Sequence, residues 1–92
     1  MSSSKIYTEN DRPTQAWCDP ERLHVLLADG RELTTPLWWY PRLANATAAQ
    51  RNNVELMLDG VHWPDLDEDL SVRGMLSGWK YPTAVPPKKN AA

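Results

Sequence analysis

Two Asp-Gly pairs, Asp29-Gly30 and Asp59-Gly60, each set between apolar-rich runs, constrain this chain more than any other feature. Asp-Gly in that setting is a strong short-range hairpin signal. The central residues of a type I′ turn need positive φ, which Gly adopts freely. The first pair separates Leu23-His-Val-Leu-Leu-Ala28 from Arg31-Glu-Leu-Thr-Thr35, and Leu23, Val25 and Leu27 alternate onto one face. The second separates Val54-Glu-Leu-Met-Leu58 from Val61-His-Trp63, and Val54, Leu56 and Leu58 alternate in the same way. Ala16-Trp17-Cys18 supplies a further short strand, bounded by Pro20.

Helical material lies between and after the hairpins. Thr35 followed by Pro36 reads as N-cap and first helical residue, where a missing N–H costs nothing. Pro41 forbids one long regular helix, so Leu37 to Ala44 is short or kinked. Thr47-Ala-Ala-Gln50 spells a capping box for a second short helix reaching about Asn53. Ser71 is a credible N-cap, Leu70 and Met75 can form a hydrophobic staple, and Gly78 suits the position just past the helix end. Hairpins with inserted helices imply an α+β fold: a small antiparallel sheet built from two hairpins plus a short strand, with short helices between and after them.

At 92 residues the chain makes one domain with a modest core. The segments 1–13 and 82–92 lack apolar periodicity and read as unstructured tails, leaving 14–81 as the folded domain. A formal net charge of −2 argues against a binder of the nucleic-acid backbone, which shows a basic stripe. The single cysteine, Cys18, excludes an intrachain disulfide. The polar start resembles no signal peptide, and no apolar run is long enough to span a membrane, so a cytoplasmic setting is expected.

The acidic run Asp65, Asp67, Glu68, Asp69 invites a calcium-loop reading, but an EF-hand needs Gly at its sixth position and Glu at its twelfth. Those places hold Leu70 and Leu76, so no metal or other cofactor is expected there. The acids read instead as surrounding the N-terminus of the Ser71 helix, where negative charge is favoured. His62 with these acids could make a metal or general acid–base cluster, and that remains the competing functional reading. His62 and His24 both alternate away from apolar neighbours, without the spacing of a known ligand set. Cys18 lacks a nucleophile's flanking signature and reads as a packing residue. The glycines, at 30, 60, 74 and 78, form no phosphate loop.

Trp38-Trp39-Tyr40 cannot place all three rings against one core, because adjacent helical positions point about 100° apart. Beside Arg42, the exposed members make a recognition patch of the residue types enriched at binding hot spots. Arg42 and Arg51 could also stack nucleic-acid bases, which is weak support in a chain of this charge.

Three stretches together, Pro36-Leu-Trp-Trp-Tyr-Pro-Arg-Leu-Ala-Asn-Ala-Thr47, Gln50-Arg51-Asn52 and Gly60-Val-His-Trp-Pro-Asp-Leu-Asp-Glu-Asp-Leu-Ser71, resemble the bacterial domain of unknown function 2442 family. The resemblance spans about Thr14 to Leu76, and it implies a small α+β accessory domain with no assigned catalytic residues. Relatives resemble members of toxin–antitoxin pairs, and some carry an added helix-turn-helix domain that nothing after Trp79 could form here.

The expected function is therefore a non-enzymatic, antitoxin-like or inhibitory module that binds another protein, such as a toxin or basic effector. Its expected contacts are Trp38, Trp39, Tyr40 and Arg42, with Asp65, Asp67, Glu68 and Asp69 as an acidic surface. Homodimerisation by edge-strand pairing is a further route. An accessory role in transcription or nucleic-acid binding is the third reading.

Overall fold

The computed structural model describes residues 9–87. Among these described residues, six strands form two three-stranded antiparallel sheets, each a simple meander. The first contains β1 (Pro13–Cys18), β2 (Arg22–Leu27) and β3 (Glu32–Pro36). The second contains β4 (Glu55–Leu56), β5 (Gly60–Trp63) and β6 (Glu68–Ser71). Between the sheets run a 3₁₀ turn at Leu37–Trp39, α1 (Pro41–Ala44) and α2 (Ala48–Asn52), and α3 (Val72–Ser77) follows β6. The arrangement is α+β, with two sheets in place of the single one expected.

The first hairpin forms where the Asp-Gly pair places it, but with different turn chemistry. The Gly30 N–H donates to Leu27 O at 2.9 Å, and the Leu27 N–H to Arg31 O at 2.8 Å. Gly30 alone takes a left-handed φ, +95°, while Asp29 does not. This is a three-residue loop with glycine at the left-handed position, not a type I′ turn.

The second Asp-Gly pair has another role altogether. The Met57 N–H donates to Gly60 O at 2.8 Å, which puts Leu58-Asp59 at the turn centre and Gly60 in β5. A Cβ on Gly60 would lie 2.3 Å from the Leu70 backbone oxygen. Glycine is needed there for close approach of β6 rather than for turning. The expected inward alternation of Val54, Leu56 and Leu58 also fails: Val54 is half-buried, whereas Leu56 and Leu58 are 45% and 64% exposed.

The core joins Leu23, Val25 and Leu27 from β2 to Val61 and Trp63 from β5 and Leu70 from β6. Leu37, Tyr40, Leu43, Val72 and Met75 close it. Trp63 is wholly buried, and its indole N–H donates to Arg51 O at 3.1 Å, which meets the need of a buried indole for an acceptor.

The helix signals at Thr47 and Ser71 hold. Thr47 and Gln50 make the reciprocal capping box, and Ser71 Oγ accepts from the Gly74 N–H at 2.9 Å. Gly78 ends α3 with φ +83°, its N–H donating to Met75 O while the Trp79 N–H reaches Gly74 O. The Thr35 signal does not hold. Thr35 is a buried residue of β3, and Pro36 stands at the cap position of the 3₁₀ turn with no side-chain cap. Regular structure begins earlier than expected, with a 3₁₀ turn at Glu9–Asp11 and β1 starting at Pro13. The remainder of the expected tails, 1–8 and 88–92, lies outside the described residues.

Candidate functional site

The two prolines flanking Leu37-Trp38-Trp39-Tyr40 hold that segment in a 3₁₀ turn that breaks at Tyr40 before α1. The three aromatic side chains separate as helical geometry requires. Tyr40 turns inward, is wholly buried, and donates through its hydroxyl to Thr35 Oγ1 at 3.0 Å. Burial raises its pKa. Tyr40 is therefore a core residue and not a partner contact. Trp39 is half-buried under the C-terminal segment: Lys80 Nζ sits 5.7 Å from its ring centroid, and the Tyr81 N–H donates to Trp39 O.

Trp38 faces an open groove of about 640 Å³ lined also by Pro20, Glu21, Arg22, Pro36, Arg51 and Pro87. The β2–β3 register pairs Arg22 with Pro36, and the Leu37 N–H donates to Glu21 O at 2.9 Å. These contacts fix the chain before β2 against the chain after β3, and the groove lies along that seam. Arg51 is set by hydrogen bonds from Nε to Leu43 O and from Nη2 to Ala44 O, both 2.8 Å, which satisfy carbonyls at the end of α1. Sequence reasoning missed Arg22 and Pro20. Counting outward from a two-residue turn at Asp29-Gly30 puts Arg22 opposite Leu37; the three-residue loop shifts the register by one and brings Arg22 opposite Pro36.

The acidic run divides. Residues 64–67 turn between β5 and β6, with Asp67 left-handed at φ 51°, a conformation Asp tolerates. Glu68 and Asp69 then enter β6, so the acids do not surround the N-terminus of α3. Asp65, Asp67 and Asp69 are exposed, but Glu68 points inward and its side chain is wholly buried. Glu68 thus departs from the expected acidic surface. Burial raises its pKa, opposed by the Tyr81 hydroxyl and the Arg42 guanidinium 3.8 Å away. Arg42 also donates to Asp67 O at 2.8 Å. The Trp-Trp-Tyr-Pro-Arg segment and the acidic turn are therefore neighbours in space, joined by Arg42.

His62 reaches Asp69 through Nδ1, and that carboxylate raises its pKa. Asp65 instead accepts from Asn53 Nδ2 at 3.0 Å. His24 lies in the other sheet, stacked on Trp17 at 5.1 Å, with Nε2 2.7 Å from Asp19 and Nδ1 2.8 Å from Glu32. Burial pushes the Cys18 thiol up to about 11, away from nucleophilic character. Among the described residues, no three His, Cys, Asp or Glu side chains are grouped to hold a metal ion. No helix among them is long and apolar enough to cross a membrane.

A family described as protein of unknown function (DUF2442) matches residues 13–81. Two solved structures share the fold. A Rhodospirillum rubrum protein of unknown function is 31% identical, with a TM-score of 0.69 over 79% of this chain and 93% of that one. The uncharacterized protein CV0863 from Chromobacterium violaceum is 24% identical, with a TM-score of 0.68 over 78% of this chain and 70% of that one. No curated protein matches this chain.

Proposed function

Since the chain belongs to the DUF2442 family, for which no function is described, we propose from its own surface that it is a non-enzymatic protein-binding module. The observation that supports this reading is the seating of Trp38. The residue is half-buried in an open groove between two fixed chain segments, in a lining with three prolines and two arginines. A Trp so placed offers a large rigid apolar surface and an indole donor, with arginines at hand, the composition of a binding hot spot. Neutralisation of an effector protein is one form of this activity. The acidic turn at Asp65 and Asp67, with Asp69 beside it, offers a second and electrostatically opposite surface to the same or another partner.

The test is capture of partners from the source cells on the immobilised full chain, beside a Trp38→Ala version. A stoichiometric protein retained by the first and absent from the second supports the reading. Recovery of the same proteins by both, with the variant folded, overturns Trp38 as the hot spot.

A further inference from the structure

We infer that the Trp38 groove takes an acidic segment of a partner protein that also carries an apolar residue, an assignment that rests on the protein-binding reading above. The argument is charge complementarity. The chain as a whole is acidic, with a formal net charge of −2, yet the charged residues lining this groove are Arg22, Arg51 and one acid, Glu21. The Arg22 side chain is 55% exposed, and its contact with Glu21 is 3.8 Å long between two exposed groups. Such a pair is held weakly and leaves the guanidinium available to a carboxylate that can be gripped by two N–H groups. Asp19, close in sequence, is committed to His24 and to the backbone N–H groups of Glu21 and Arg22.

A basic peptide would meet like charge at Arg22 and Arg51. The apolar requirement comes from the rest of the lining: Trp38, Pro20 and Pro36 offer rigid apolar surface that rewards an aliphatic or proline side chain.

The test is NMR titration of the full chain with an acetylated, amidated peptide Glu-Glu-Leu-Pro-Glu-Glu. Its lysine counterpart Lys-Lys-Leu-Pro-Lys-Lys and a thymidine oligonucleotide serve as the other two probes. The expected result is saturable shifts of the Trp38 indole N–H and of Arg22 and Arg51 with the acidic peptide. Affinity should fall about tenfold or more in Arg22→Glu and with added salt. Equal response to both peptides, no response at the Trp38 indole, or binding of the oligonucleotide in preference to the acidic peptide overturns the assignment. So does concentration-dependent self-association lost in Asp65→Lys, Asp67→Lys, which would give the groove to the acidic turn of a second copy. If cell capture still depends on Trp38 while the acidic peptide fails, this assignment falls and the protein-binding reading stands.

Discussion

The Tyr81 hydroxyl lies 3.0 Å from Oε1 and 2.9 Å from Oε2 of Glu68, so a side chain from the C-terminal segment donates to a carboxylate buried on the inward face of β6. A buried carboxylate without such donors is costly, and Arg42 at 3.8 Å is its charged neighbour. The contact binds the segment after α3 to the second sheet and keeps Trp39 covered.

Tyr81→Phe is expected to destabilise the fold by about 1–3 kcal/mol, because it leaves a buried acceptor short of its partner. The sign of the pH dependence follows from Glu68. Burial raises its folded pKa above 4.5, so its ionisation opposes folding at higher pH and that penalty fades as the carboxyl takes a proton. The hydroxyl normally holds the shift down. The deficit of Tyr81→Phe should therefore be largest near neutral pH and shrink toward pH 4.5 and below. Urea unfolding at both ends of that range checks it.

Gly60→Ala and Gly30→Ala should differ sharply although both glycines follow an aspartate. At Gly60 the new methyl would lie 2.3 Å from a backbone oxygen, so β5 and β6 must part, at roughly 4 kcal/mol or more. At Gly30 the space is open and only the positive φ opposes alanine, at roughly 1–2 kcal/mol. Thermal unfolding of the two variants makes the comparison, and equal losses would contradict it.

His24 and Asp19 make opposite contributions to the pH profile. Hydrogen bonding to Asp19, and then to Glu32, raises the His24 pKa above 6.5. Its contribution to stability is full below 6.5 and is lost as pH rises through the folded value. Asp19 is lowered from 3.8 to about 2, chiefly by His24, so its contribution is present above 3.8 and lost as pH falls through about 2. In Asp19→Asn the His24 resonance followed by NMR should titrate at lower pH than in the unaltered chain.

Trp38→Ala and Trp63→Ala separate binding from folding. Trp63 is wholly buried and its loss should cost about 3–5 kcal/mol. Trp38 is half-buried at a groove wall, and its loss should cost about 1 kcal/mol while removing partner capture. Denaturant melts run beside the capture experiment distinguish the two.

Local chemistry made the first hairpin, the Thr47 box and the Ser71 and Gly78 ends readable, because each is decided within a few residues. What was not readable depends on distant neighbours. β6 was hidden because Glu68 fills an inward position that an apolar residue normally takes, and its partners, Arg42 and Tyr81, lie 26 and 13 residues away. Gly60 spells a turn, and only the approach of Leu70 reveals a strand residue. Half of the aromatic patch was legible: helical angles require the rings to split, but only tertiary packing decides that Tyr40 goes inward and Trp38 stays at the surface.

The missing side chain at Gly60 also dictates where this chain can grow. The backbone approach at Gly60 helps to set the register between β5 and β6, so a residue added within either strand would move a bulkier neighbour against Leu70 O. The Met57–Asp59 tip is exposed and lies on the far side of that lock, which makes it the place to graft an epitope or a reporter while the sheet keeps its alignment.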